Sequence, residues 1–275
     1  MSNLQQTAAD LLELVREKVP LVDHITNFVT VNDCANITLA IGASPIMADA
    51  QEEAAEIARA ASALVLNMGA LNALTIPSMI EAGRAAQEAG VPIVFDPVGA
   101  GASILRNETA ARILEEIGID VLRGNISEIR FLSGRQTSIK GVDASEDDIL
   151  NEEDTALIAK SLAKRLDCVV AVTGVVDVVT DGKRVVYIEN GHPMLANLTG
   201  TGCMCSSLIG AFCAVASHQL LEAVVAALLS MGIAGEIAYT EAGSRGNGSF
   251  HMALHDAVSR LDSETLKRRA KLDEA

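Results

Sequence analysis

Short apolar runs rich in Val and Ile alternate along this chain with Ala-rich stretches of helical period. Ala63-Leu64-Val65-Leu66 reads as a buried strand, and Asn67-Met68-Gly69 as the turn that follows it. A helical stretch over residues 72–89 leads through Gly90 to a second apolar run over 91–95. The cycle repeats with a helix at 104–117, a strand at Val121-Leu122 and a helix at 127–133. A helix at 154–165 then precedes the run Cys168-Val169-Val170-Ala171-Val172. Continuous apolar strands separated by helices predict a mostly parallel sheet covered on both faces. Right-handed crossovers bring all the strand-to-helix loops to one edge, where ligands of open α/β sheets bind.

The rhythm changes after Thr173-Gly174. Strand-like runs at 176–180 and 184–188 flank Asp181-Gly182-Lys183. Asp-Gly between two such runs is a hairpin signal, so the sheet is expected to end in an antiparallel pair. The remainder reads as helical, over 202–216 and 220–239, with a Gly-rich joint at 243–248 before the last helices. The first twenty residues read as an amphipathic helix carrying Asp10, Glu13 and Glu17. A basic segment followed by an apolar run is not seen there, so no signal peptide is expected. The most apolar stretch, 208–238, is interrupted by His218, Gln219, Glu222 and Glu236, and no membrane span is expected. The polar, acid-rich segment 135–148 is the expected mobile loop. Neither a linker nor a repeat breaks the pattern, which suggests one domain over residues 1–275.

Composition narrows the partners. The chain has 275 residues, 21 of them basic and 36 acidic, for a net charge of −15. That balance speaks against nucleic acid, whose phosphates call for a basic footprint. Aromatic residues at 3%, with no Trp, leave few platforms for base stacking. Hydrophobic residues at 49% support a sizeable core. The five cysteines (34, 168, 203, 205 and 213) are odd in number and form no CxxC pair, the pattern of reduced thiols in a cytoplasmic protein.

The segment most suggestive of chemistry is Asn197-Leu198-Thr199-Gly200-Thr201-Gly202-Cys203, which joins a turn to a strongly apolar helix. Small residues let backbone approach a ligand, and the first helical N–H groups are unsatisfied. Together with the positive end of the helix dipole they suit an anion such as phosphate. Cys203 falls in the first turn, where a thiol pKa is expected to be lowered. A plain Gly-rich helix start is the alternative reading of this segment alone.

Thr199-Gly200-Thr201-Gly202-Cys203 resembles a GTGC variant of the GTGD/GAGD anion-hole motif of ribokinase-like small-molecule kinases. Asn125-Ile126-Ser127-Glu128 is similar to their N-x-x-E motif. Ile25-Thr26-Asn27, Gly42-Ala43-Ser44-Pro45-Ile46-Met47, Asn67-Met68-Gly69 and residues 95–101 resemble the hydroxyethylthiazole kinase family in particular. The motifs occur in the family's order from about Val22 to Gly210. The resemblance implies a three-layer ribokinase-like fold, α/β with a mostly parallel central sheet. It implies phosphoryl transfer from ATP to the primary alcohol of 4-methyl-5-(2-hydroxyethyl)thiazole, in thiamine synthesis or salvage.

The resemblance also assigns roles. The amides of Gly200, Thr201, Gly202 and Cys203 would hold the moving phosphoryl oxygens, and Cys203 would align the alcohol, assisting proton removal only modestly. Arg123 and Thr173 would contact ATP, the fork of Arg123 suiting phosphate oxygens. Mg²⁺ would be held in the region of Asp96 and Glu128, Glu128 through water. The alternatives are that Asp96 closes a turn before Pro97 and that Glu128 caps the helix near Ser127. Met47, Gly200 and Asn27, with Val29 more loosely, would line the thiazole pocket. A homotrimer with interface sites is implied. A related kinase acting on hydroxymethylpyrimidine and a non-catalytic nucleotide-binding regulator are the competing functions.

Other signals carry less. His251 and His255 stand four apart on one helix face, a metal-like spacing, but no HExxH motif and no third ligand is evident, so a surface or packing role is expected. Gly99-Ala100-Gly101 lacks the remainder of a dinucleotide fingerprint. The tail from Arg260, with charges of both signs, reads as a solvated helix face.

Overall fold

The computed structural model describes residues 3–134 and 152–275, so the segment 135–148 lies outside the described residues. Its strands are β1 (Leu21–Ile25), β2 (Ser44–Ile46), β3 (Ala63–Asn67), β4 (Ile93–Asp96), β5 (Val121–Asn125), β6 (Val169–Thr173), β7 (Asp177–Thr180), β8 (Val185–Ile188) and β9 (Leu272–Glu274). Before β6 the helices are α1 (Asn3–Lys18), α2 (Val31–Ile41), α3 (Gln51–Ala60), α4 (Thr75–Ala89), α5 (Ile104–Glu116), α6 (Ile126–Leu132) and α7 (Glu152–Leu166). After β8 come α8 (Thr201–Val215), α9 (Leu220–Ala242), α10 (Asn247–Arg260) and α11 (Ser263–Arg269).

The strands form one sheet in the order β2-β1-β3-β4-β5-β6-β7-β8-β9. The first six of that order pair in parallel, and β7, β8 and β9 are added antiparallel. Alternation of side chains divides the core in two. Val65, Val94 and Val121, in register across three strands, point into a layer shared with α1, α2, α8, α9 and α10. Leu66, Phe95 and Leu122, one residue further on, face the opposite layer, which holds buried residues of α3, α4, α5 and α7. The result is three layers, helix on sheet on helix.

Two parts of the fold depart from the apolar pattern, β1 and the far end of the sheet. β1 lies inside the sheet between β2 and β3, although Asp23 and His24 interrupt its apolar run. Asp23 is fully buried, and burial raises its pKa to about 7 against the weaker, opposite pull of the Ala48 and His24 amides. Burial lowers that of His24 to about 4, its Nδ1 lying 3.0 Å from the Val22 carbonyl oxygen. The expected hairpin is present: Gly182 takes φ +86°, and Asp181 Oδ1 accepts from the amides of Lys183 and Arg184, each at 2.8 Å. The sheet does not end there, however. β9 pairs with β8, so the tail from Arg260 is not one solvated helix face but a helix with a buried Leu266 followed by an edge strand. An edge strand needs only backbone pairing, and the charged side chains of β9 stay in water.

The helix α9 is long and apolar enough to cross a membrane by length and composition, but 78% of its most apolar window is buried in the fold. Its contacts with α1, α8, α10 and β7 make it a core helix. All five cysteines are free.

Candidate functional site

The parallel strands end in polar residues at one edge of the sheet. Asn67 of β3 is in register with Asp96 of β4, and Asn125 of β5 with Thr173 of β6. Across this edge comes the amino terminus of α8, whose N-cap, Gly200, has φ +85°. A side chain there would meet a left-handed backbone and would place a Cβ 2.6 Å from Thr30 Cγ2. The first intrahelical bond runs from the Met204 amide to the Gly200 carbonyl, 2.8 Å. The amides of Thr201, Gly202 and Cys203 precede it and face outward from the helix end. Thr201 Oγ1 is turned back, donating to the Leu195 carbonyl at 3.2 Å.

Arg123 lies directly against this turn. A Cβ on Gly202 would stand 2.6 Å from its Nη1, so glycine is what lets the guanidinium approach. Arg123 Nη1 is 3.4 Å from Asp96 Oδ2, and its Nη2 donates to Thr173 Oγ1. Burial opposes its charge, but the carboxylates of Asp96 and Glu128 help outweigh that effect, and its pKa is raised. A full positive charge therefore backs the helix dipole at this turn.

From Asp96 a line of hydrogen bonds runs to Cys203. Asp96 Oδ2 accepts from Ser206 Oγ at 2.7 Å and from Asn67 Nδ2 at 2.9 Å. Asn67 Oδ1 accepts from Asn27 Nδ2 at 2.9 Å, and the same nitrogen lies 3.6 Å from Cys203 Sγ. Two atoms of this buried group are left over: Asp96 Oδ1 and Arg123 Nε have no hydrogen-bond partner. Buried polar atoms are rarely left so.

The structure brings Asn27, Asp96, Arg123, Thr173, Gly200, Thr201, Gly202 and Cys203 together. It refines two of the sequence readings. Cys203 stands in the first helical turn as expected, but its pKa is not lowered. Burial raises it first and Asp96 second, which leaves a neutral thiol. Glu128 takes the capping role: Asn125 Oδ1 accepts from the Glu128 amide at 3.0 Å, and Glu128 Oε2 from the Asn125 amide at 2.8 Å. Its other oxygen accepts from the Gly99 amide at 2.7 Å, tying α6 to the loop after β4. Burial and the nearby Asp96 push its pKa up to about 7. Met47 follows β2 at the same edge, half-buried and outside the polar network. Val29 is largely exposed, and its amide donates to Asn27 Oδ1 at 3.1 Å.

Sequence reasoning missed Arg106, on α5. Its guanidinium donates to the carbonyls of Met68 and Gly69, at 2.6 and 2.8 Å, and also to that of Val98. It thereby clamps the loops after β3 and β4. No local signal marks such a residue, because its partners are backbone groups of distant loops. Ser206 was legible in principle, three residues beyond Cys203 on one helix face.

Two kinds of likeness bear on this site. Structures that share under a fifth of the sequence show the fold. A ribokinase-like superfamily protein from Enterococcus faecalis superposes with TM-score 0.62 at 12% identity, covering 93% of this chain and 95% of that one. The pyridoxal kinase of Staphylococcus aureus in complex with ADP gives 0.60 at 14%, covering 93% and 98%. The fold is thus that of the ribokinase-like superfamily. Sequence likeness goes further. The profile of the hydroxyethylthiazole kinase family matches residues 12–264. A hydroxyethylthiazole kinase from Ruminiclostridium cellulolyticum is 56% identical over 274 residues, all of both chains. One from Clostridium beijerinckii is 57% identical over 265 residues, 96% of each. The structure of that kinase from Pyrococcus horikoshii has TM-score 0.88 at 43% identity, covering 98% of both chains. The chain belongs to the hydroxyethylthiazole kinase family.

Proposed function

We propose that this protein transfers the terminal phosphoryl group of ATP to the primary hydroxyl of 4-methyl-5-(2-hydroxyethyl)thiazole, supplying thiazole phosphate to thiamine synthesis. The observation that carries this reading is the left-handed turn at Gly200, backed by Arg123 and flanked by Cys203, in a chain of this family. Phosphoryl transfer depends on alignment and charge neutralisation more than on covalent help from the protein. The amides of Thr201 to Cys203 gather the oxygens of the moving group, and Arg123 adds its charge beneath them. Thr173, which accepts from Arg123, fixes the guanidinium plane. A neutral thiol is a weak base, so Cys203 orients the substrate hydroxyl and takes little of its proton. Asn27 and Asn67 hold the thiol side of the site in place. Asn27, Gly200 and Met47 form the side toward the thiazole.

Asp96 suits Mg²⁺: a buried carboxylate oxygen without a hydrogen-bond partner, beside the phosphate-gathering turn, is the hard donor such an ion prefers. Glu128, with both oxygens engaged by backbone amides, would reach such an ion only through water. When bound, the ion neutralises charge on the ATP phosphates.

The same reading makes the whole chain one kinase domain built on one sheet, working in the cytoplasm as a homotrimer. Exposed Phe28 and Val29, directly after Asn27, are apolar surface for a neighbouring subunit to cover at the substrate side. Light scattering of the purified protein, with Phe28→Asp as the disrupting variant, tests the assembly. Release of ADP in a coupled assay, with the thiazole alcohol set against the pyrimidine alcohol, tests the activity. Faster turnover of the pyrimidine would transfer the assignment to a pyrimidine kinase. No ADP with either, from folded protein with Mg²⁺, would leave a nucleotide-binding regulator.

A further inference from the structure

His251 and His255, one turn apart on α10, meet a third donor that the sequence did not reveal. Asp33, near the start of α2, places its Oδ1 3.2 Å from His251 Nε2. One carboxylate oxygen and one ring nitrogen from each histidine lie within 4.8 Å of one another. The imidazole rings are 5.1 Å apart and tilted by 57°, so they converge rather than stack.

The nitrogens that face this cluster are unspent. Both Nε2 atoms are buried and neither has a hydrogen-bond partner; the Asp33 oxygen is near His251 Nε2 but out of line for a hydrogen bond. His255 Nδ1 lies 3.1 Å from the His251 backbone carbonyl oxygen. A carbonyl can only accept, so the neutral ring carries its proton on Nδ1 and presents a lone pair at Nε2. Metal-binding histidines are oriented in this way, through the ring nitrogen that does not touch the ion.

We propose that Asp33, His251 and His255 form a binding site for a divalent transition-metal ion of the zinc type, separate from the magnesium region at Asp96. Two imidazoles and one carboxylate suit Zn²⁺ or Co²⁺, whereas Mg²⁺ prefers oxygen donors. Three protein ligands leave the fourth position of a tetrahedral ion to water, on the side where Asp33 and His251 reach solvent.

The location gives the ion a structural consequence. Asp33 Oδ2 is 3.9 Å from where a Cβ on Gly200 would stand. At the amino end of α10, Asn247 Nδ2 donates to the Asn197 carbonyl at 3.1 Å, in the segment that enters the same turn. An ion joining α2 to α10 therefore braces the anion turn from behind, and its occupancy sets how firmly that turn is held.

Full-length protein stripped with EDTA and titrated with Co²⁺ in excess Mg²⁺, without ATP, tests the site. The expected result is one Co²⁺ per chain with a visible ligand-field band, displaced by Zn²⁺, and a higher melting temperature on binding. His255→Ala and His251→Ala should each weaken binding about a hundredfold or more. Should His255→Ala fail to fold, His255→Gln keeps the ring's volume and hydrogen-bonding without its metal-binding nitrogen and serves the same purpose. The absence of a band, or affinity unchanged in folded variants at both histidines, overturns the proposal. None of these readouts requires turnover, so they stand or fall independently of the kinase assignment.

Discussion

Asp96 and Asp120 stand at opposite ends of neighbouring strands, and the fold uses them in opposite ways. Asp120, just before β5, is spent on the backbone. Its carboxylate accepts the Ile93 amide at 2.8 Å, its amide donates to the Ile93 carbonyl at 3.0 Å, and its carbonyl accepts the Val169 amide at 2.9 Å. Three strands are fastened there by one residue. Asp96, at the end of β4, collects Ser206, Asn67 and Arg123 on one oxygen and leaves the other bare. At the amino edge the acid completes the protein. At the carboxyl edge an acid and a guanidinium each keep one buried polar atom without a hydrogen-bond partner, which supports the site proposed above.

The largest expected effect separates these two acids directly. Asp96→Asn should lower turnover roughly a thousandfold in the folded fraction, far more than follows from any loss of stability on uncovering the Arg123 charge. Asp120→Ala should do the reverse, costing roughly 1–3 kcal/mol through the orphaned Ile93 amide while turnover per folded molecule is unchanged. Coupled ADP release and thermal melts read both, and equal loss of turnover in the two would erase the contrast. Next in size is Gly202→Ala, whose methyl group would crowd the Arg123 guanidinium at 2.6 Å. A drop of roughly tenfold to a hundredfold in turnover is expected from the displaced charge, and wild-type kinetics would show that the approach of Arg123 is incidental. Cys203→Ala should cost about tenfold in turnover and spare the KM for ATP, in keeping with positioning rather than proton abstraction. Because the thiol pKa is raised, the wild-type rate should carry no step from its ionisation across neutral pH.

A smaller effect tests a buried acid that belongs to neither edge. Folded Asp23 keeps its proton to about pH 7, whereas the unfolded chain releases it near the model-peptide value of 3.8. Between those values the folded state binds more protons, so stability falls as pH rises through the window. Asp23→Asn should flatten that decline, matching the wild type near pH 4 and exceeding it by on the order of 3 kcal/mol at pH 8. Parallel pH–stability curves for the two proteins would count against it.

What could be read before the structure follows from what each element needs. The strands β3 to β6 are covered on both faces and must be apolar throughout, so composition betrays them. The Asp181-Gly182 turn has its own chemistry, legible at a glance. β1 escapes because Asp23 and His24 sit in the middle of a five-residue strand, and β2 because it is three residues long and contains Pro45. β9 escapes because an edge strand makes no demand on side chains. The tight turn into α8 was readable from its glycines, since a side chain at Gly200 would crowd Thr30 and one at Gly202 would crowd Arg123. The neutral state of Cys203 was not: helix position argues for a thiolate, and only the depth of burial decides otherwise. Arg106 and Asp33 were hidden for a different reason, as each matters through partners far away in sequence.

The packing of α1 bears on how the molecule comes into being. This helix is made before α8, α9 and α11, yet it rests on all three, and Gln5 Nε2 donates to the Ala270 carbonyl at 3.2 Å. Its apolar stripe of Leu4, Leu11, Leu12 and Val15 therefore has no native seat until α8, α9 and α11 have been translated. Nascent chains of this protein carry an uncovered greasy helix until those partners emerge, and the contact that seats it spans the sequence from Gln5 to Ala270.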